Sequence, residues 1–186
     1  MPPKNKFTRE QIIAAALSIA ETNSIEALTA RSLAAALGAS AKPIFGYFQN
    51  MQQLQQEVIR AANAVYTSYI SSAMHSGDYP PYKASGMAYI QFAKEKPQLF
   101  KLLFMRDRSA EPIPEDREAV RPILDILIKN LALDENEAYL FHLELCIFVH
   151  GIATMAATAY LDWDMDFISR ALTDAYQGLK HRFAKE

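Results

Sequence analysis

Three side chains with soft-metal chemistry, His142, Cys146 and His150, recur at every fourth position. On a helix that spacing sets them along one face, where adjacent members could chelate one ion. A single straight helix cannot close all three around it, so a buried hydrogen bond is the competing role for His150, beside Gly151. Asp162, Asp164 and Asp166 alternate, but no glycine or glutamate stands where a calcium loop needs one. They read as charge near a helix N-terminus. There is no glycine-rich phosphate loop, no Gly-x-Ser-x-Gly elbow and no His-Glu-x-x-His. The expectation is a non-enzyme with no cofactor and no metal.

Residues 29–48, TARSLAAALGASAKPIFGYF, lay out a helix of about two turns, a glycine-containing turn and a second short helix, the helix-turn-helix plan. Ala34 is small where the two helices would cross, and Gly38 permits the positive φ of the turn. Ile44 and Phe48, four apart, would pin the second helix to a core and leave Ala41, Lys42, Phe45 and Tyr47 nearer the outside. Such a helix can enter a major groove about 12 Å wide. Periodicity alone serves a short helical hairpin within a core equally well.

The elements that must position this segment are helical throughout. Apolar residues recur every three or four positions and no run of period-two alternation stands out, so the class is all-α with about nine helices. Thr8 with Gln11 forms a capping box for the first. Thr29 caps the second, which Gly38 stops, and Ser40 caps the third, with Pro43 in its first turn. Asn50 starts a long fourth helix that ends in the loop 75–81, around Gly77 and a Pro-Pro pair. Two helices follow, 82–96 and 97–104, and then an exposed loop over 106–114. Glu115–Leu131 is helical but must kink or restart near Pro122. Asp134 and Glu137 cap a helix running to about Tyr160, and Asp164 opens the last.

Composition bounds the rest. With 51% hydrophobic and 22% charged residues in a chain of 186, the balance is that of a globular protein. No apolar run approaches the roughly 18 residues that span a bilayer, and no secretory signal is visible. Cys146 is the only cysteine, which excludes an intramolecular disulfide and fits a reducing compartment; the expected location is the cytoplasm. The net charge of −2 divides into +2 over residues 1–50 and −4 beyond. A basic head on an acidic body suits a DNA reader with a separate regulatory part.

Residues 8–60 resemble the DNA-binding region of the TetR (tetracycline repressor) family of transcriptional regulators. The match is carried by Thr8-Arg9-Glu10, Ile12 with Ala15-Ala16-Leu17, Leu28-Thr29, Leu33-Ala34, and Leu37-Gly38-Ala39-Ser40. Ile44-Phe45-Gly46-Tyr47-Phe48 stands at the family's Leu-Tyr-x-His/Tyr-Phe signature, ahead of Leu54. Residues 89–104 and the pair His150-Gly151 resemble one group of its C-terminal domains more loosely. Two features depart from the pattern. Gln49-Asn50-Met51-Gln52-Gln53 stands where the family usually has a phosphate-contacting Lys, and Gly46 is a weak helix former, at about 1 kcal/mol relative to Ala.

The resemblance implies a DNA-binding domain over residues 1–50 and a ligand-binding and dimerisation domain over 51–186. Carried over by position, the DNA contacts are Thr29, Arg31, Ser40, Lys42, Pro43 and Tyr47; capping alone is the other role for Thr29 and Ser40. Effector-pocket candidates are Tyr66, Met87, Phe92, Phe100, Phe104, Phe141 and Trp163, each of which core packing would also explain. The helix 134–160 is apolar on several faces and needs partners on several sides, as a subunit interface provides. The implied function is a homodimeric repressor of a near-palindromic operator, its recognition helices about 34–36 Å apart. A small apolar or amphipathic effector would release it, with the fourth helix as the lever. The alternative is a helical ligand-binding dimer whose DNA-binding function is weakened or lost.

Overall fold

The computed structural model describes residues 7–109 and 117–183. Among them are nine α-helices and no strand: α1 (Arg9–Thr22), α2 (Ala30–Ala36), α3 (Lys42–Phe45), α4 (Met51–Ser76), α5 (Pro81–Glu95), α6 (Pro97–Phe104), α7 (Arg117–Leu131), α8 (Glu135–Ala157) and α9 (Met165–Phe183). One 3-10 turn, Ile25–Ala27, precedes α2. The part of the expected loop 106–114 that falls at 110–114 lies outside the described residues, as do Lys4 and Lys6.

Helix starts follow their side-chain caps. Thr8 and Gln11 close a reciprocal box on α1, with Thr8 N donating to Gln11 Oε1 at 2.9 Å and Gln11 N to Thr8 Oγ1 at 3.2 Å. Asp134 accepts from the N–H groups of Asn136 and Glu137, both at 2.9 Å, and Glu137 returns the bond to Asp134 N. Each satisfies donors that a helix N-terminus otherwise leaves unpaired. Two expectations change. Ser40 does not cap α3; that place falls to Ala41, which has no side chain to bond, because the turn runs one residue further before the helix begins. Of the kink or restart expected near Pro122, the restart does not occur, since α7 continues through it as one helix. It lies early in the helix and gives up one ladder bond, to the carbonyl of Glu118.

Helix stops share one device with two different residues. After α2, Gly38 N donates to Ala35 O and Ala39 N to Ala34 O, with Gly38 at φ +58°. After α8, Ala159 N donates to Ala156 O and Tyr160 N to Met155 O, with Ala159 at φ +55°. Both are Schellman motifs. The second ends α8 at Ala157, short of the expected Tyr160, and holds an alanine where glycine would be unstrained.

The chain forms two compact units. The first comprises residues 7–67 with Lys96–Arg106, and the second Ser68–Glu95 with the described residues from Asp107 onward. In the first, Ile12, Ala16, Leu33, Ile44, Leu54, Val58, Leu99 and Phe100 are fully buried, and α1 packs on both α2 and α6. In the second, α8 is the central helix, packed on α5, α7 and α9. By length and composition α8 could cross a membrane, but Ala138, Phe141, Leu145, Val149 and Ile152 form a stripe turned into the core of this unit. Phe141 lies edge-on to Tyr82 and Tyr176, at centroid distances of 6.4 and 5.4 Å, and tilted against Phe183 at 5.5 Å.

Phe141→Ala should destabilise the second unit by about 3–5 kcal/mol through the cavity it leaves, read by urea denaturation. The two Schellman positions should respond with opposite signs. Gly38→Ala should cost roughly 1 kcal/mol and Ala159→Gly should gain a similar amount; equal signs in thermal unfolding would contradict the assigned φ values.

Candidate nucleic-acid interface and candidate ligand cavity

A helix as short as α3 takes its position from what it buries. Ile44 is fully buried and Phe48 nearly so, while the N–H groups of Tyr47 and Phe48 both donate to Ile44 O at 3.1 Å. The chain thus folds tightly over Ile44 as it leaves the helix. Gly46 belongs to this exit, at φ −76°, and is the cap of α3. The helix-interior penalty expected for it therefore does not apply. A Cβ there would stand 3.3 Å from Pro43 O, a tight fit.

The six expected DNA contacts fall into three groups. Arg31 on α2 and Lys42 at the start of α3 are exposed, and neither meets a carboxylate within the described residues. Ser40 is exposed in the turn between those helices. Thr29 is exposed but occupied, its hydroxyl accepting from Ser32 N at 3.0 Å and donating to Ser32 Oγ. Pro43 is half-buried at the front of α3. Tyr47 is half-buried as well, its hydroxyl donating to Phe7 O at 3.0 Å and tying the chain before α1 to the end of the helix-turn-helix.

Three other cations of this unit, Arg9, Arg60 and Lys96, are paired. Arg9 stacks over Phe48 at 5.4 Å and meets Glu57 at 3.0 Å, and Arg60 shares the same carboxylate. Lys96 meets Glu21. Near residue 51, where the family pattern usually has a Lys, the amides serve α4 itself. Asn50 Oδ1 accepts from Gln53 N at 2.9 Å, and Gln53 Oε1 accepts from Gln49 N at 2.7 Å.

The seven pocket candidates are not brought together. Tyr66, Phe100 and Phe104 stack on one another in the first unit, with successive ring centroids 5.1 Å apart. In the second unit Met87 and Phe92 are buried, Phe141 occupies the core, and Trp163 lies against Phe167. A cavity of about 400 Å³ does exist in the second unit, but its lining includes none of the seven. Its walls come from the first turn of α5 and the residues before it (Tyr79, Pro80, Tyr82, Lys83), from α7 (Ile126, Asn130), from α8 (Leu145, Val149) and from α9 (Leu172, Thr173, Tyr176). Gly86 opens the space between the last two helices; a Cβ there would sit 3.5 Å from Leu172 and 3.6 Å from Val149.

The histidines of α8 are tied to tyrosines of α5. Tyr89 Oη lies 2.9 Å from His150 Nδ1, and Tyr82 Oη 3.3 Å from His142 Nδ1. Burial pushes the His142 pKa down, so the ring is neutral at pH 7, and burial pushes the Tyr82 and Tyr176 phenols up, so both keep their protons. Cys146 Sγ lies 3.4 Å from His142 Nε2. Its side chain retains open surface, yet the packing around the rest of it raises the thiol to about 11. A thiol held protonated is a poor ligand and a poor nucleophile. No group of three or more metal-ligating side chains assembles among the described residues.

Comparison with known proteins bears on the whole of this arrangement. Residues 12–58 match the family model described as bacterial regulatory proteins of the tetR family. Residues 82–176 match the model of the tetracyclin repressor-like C-terminal domain. No protein of curated function matches significantly in sequence. Among solved structures, a TetR-like transcriptional regulator from Rhodococcus sp. RHA1 aligns over 93% of each chain, with a TM-score of 0.62 and 13% identity. A protein from Pseudomonas aeruginosa PAO1 assigned as a transcriptional regulator aligns over 96% of this chain and 97% of its own, with a TM-score of 0.70 and 16% identity. At those identities the structures speak for the fold. The two domain matches, each over the part of the chain where its elements lie, place the protein in the TetR family of transcriptional regulators.

Proposed function

We propose that the protein is a ligand-responsive repressor, working in the cytoplasm as a homodimer that reads a near-palindromic operator. The observation that carries this reading is the pair Arg31 and Lys42. They are exposed at the two helices of the helix-turn-helix and unpaired with any described carboxylate, while Leu33, Ile44 and Phe48 beneath them are buried. Cations left free over a rigid base are what phosphate and base-edge contacts require. Ser40, relieved of capping, offers its hydroxyl beside them, and Pro43 shapes the first turn that would enter the groove. Thr29 and Tyr47 contribute through their local bonds and present what remains of each side chain to the backbone of the duplex.

Dimerisation is supported by apolar surface that a lone subunit leaves open. Leu140, Leu143, Ile147 and Phe148 on α8 are all at least 40% exposed, Ile147 at 74%, and Phe167 on α9 is 42% exposed. Positions 140, 143 and 147 share one helical face, turned away from the stripe centred on Phe141, and Phe148, seven residues after Phe141, flanks that stripe. A contiguous apolar face of this kind favours an isologous helix-on-helix contact with a second copy. An effector in the second unit would act by linkage, through a difference in its affinity for DNA-competent and DNA-incompetent states. The alternative, a ligand-binding dimer without DNA binding, draws support from the neutral start of α4, where amides stand in place of a cation.

Selection of bound duplexes from a random pool should return an inverted repeat. Arg31→Ala and Lys42→Ala should each weaken binding and reduce the salt slope by about one unit for each phosphate no longer neutralised. Absence of enrichment at low salt would support the alternative. Ile147→Glu should convert the dimer to a monomer in light scattering and abolish the preference for a repeat; a dimer persisting unchanged would place the interface elsewhere.

A further inference from the structure

We propose that the cavity of the second unit binds an organic monoanion, an apolar carboxylate held by Lys83. The proposal rests on the ligand-responsive reading above and gives the chemical class of the ligand.

Lys83 is the one charged residue in the cavity lining, which contains no carboxylate. Its Nζ donates to Thr173 Oγ1 at 2.9 Å, and Thr173 Oγ1 in turn donates to Ser169 O at 2.9 Å. The ammonium also stands 4.9 Å from the centroid of the Tyr79 ring. These contacts fix where the charge sits without neutralising it. An ammonium carries three donors, and Thr173 takes one. A half-buried cation with a neutral anchor and an aromatic neighbour is left with its counter-charge to be supplied.

Two features beside Lys83 have the same sign. Lys83 lies in the first turn of α5, where the N–H groups of Tyr82 and Lys83 have no partner inside the helix and the helix dipole favours an anion. The Tyr176 hydroxyl, kept protonated by burial, lines the same space and finds no hydrogen-bond partner among the described residues. The remainder of the wall is mostly apolar, chiefly Ile126, Leu145, Val149 and Leu172, with the neutral amides of Asn130 and Gln177 also in the lining. An apolar body satisfies that wall, and a single carboxylate satisfies the cation and its neighbouring donors. A cationic ligand would bring like charges together, and a neutral one would leave the ammonium without an ionic partner.

The test uses the full chain and two matched pairs of probes, decanoate with 1-decanol and 4-phenylbutyrate with 4-phenylbutanol, followed by titration calorimetry. At least one acid should bind at one site per chain, roughly tenfold or more tighter than its alcohol. Lys83→Met should bring that acid down to the level of the alcohol, and Lys83→Arg should keep the preference. Gly86→Leu, which fills the space between Leu172 and Val149, should remove binding of both, with circular dichroism reporting that each variant keeps its helices. Equal affinity for acid and alcohol, an acid preference that survives Lys83→Met, or no saturable binding of either acid would overturn the proposal. Affinity for the selected operator is measured on the same samples with and without acid. Acid binding that leaves DNA affinity untouched would thus mark a failure of the regulatory reading, distinct from a failure of the anion site.

Discussion

A helix of four residues has no stability of its own, because nucleation fixes several residues for the first hydrogen bond and propagation never repays it. The helix presenting Lys42 exists in one place because Ile44 and Phe48 are buried beneath it and because the chain folds back onto Ile44 O on leaving. Everything the head does rests on that seating. The Schellman turn at Gly38 sets how far α2 runs before the chain turns, and the capping box at Thr29 sets where α2 begins. Tyr47 adds a tether from the far side, to Phe7. The exposed cations are therefore mounted on backbone whose freedom has been removed at both ends, which reduces the ordering cost of any contact they make.

The second unit solves a different problem. Its central helix is apolar on more than one side, and one of those sides must be used up inside the unit. The stripe through Phe141 does this, with aromatic rings from α5 and α9 closing on it. The polar groups of α8 that lie between its two apolar faces, His142 and His150, are matched by tyrosine hydroxyls of α5. Each pair satisfies groups that would be costly to bury alone. What is left is the face with Ile147, which none of the described elements of the unit covers.

Much of this was legible in the sequence, and the exceptions have physical reasons. Helix starts were readable because Thr8 with Gln11 and Asp134 with Glu137 are chemical signals, independent of the rest of the chain. The head was readable because its spacing fits a single known plan. The end of α8 was not, since Ala159 adopts a left-handed conformation that its residue type argues against. The 3-10 turn at Ile25–Ala27 is too short to carry a period. The cavity was not legible, because nothing in the sequence separates Tyr79, Tyr82 and Tyr176, which line it, from the aromatic residues that only fill the core. Space is left where residues are small, as at Gly86, where α5 comes close to α8 and α9, and that depends on contacts distant in sequence. Lys83 gave no sign at all, since a solitary lysine in sequence reads as solvated surface.

The distribution of charge in the head constrains how such a regulator must work. With Arg9 and Arg60 sharing Glu57 and with Lys96 held by Glu21, few described cations remain to displace counterions from a duplex. Each contributes only about one unit of salt slope, and the amides at the start of α4 add no charge. A single head should accordingly hold DNA weakly. Two heads in fixed register change this, because the second contact becomes intramolecular and its effective concentration replaces the bulk one. Affinity then depends steeply on the spacing between heads and little on any one contact. In the proposed dimer, a subunit rearrangement too small to disturb either head could release the proposed operator. Weak heads make such control practicable, since a head that bound strongly alone would stay on DNA whatever its partner did.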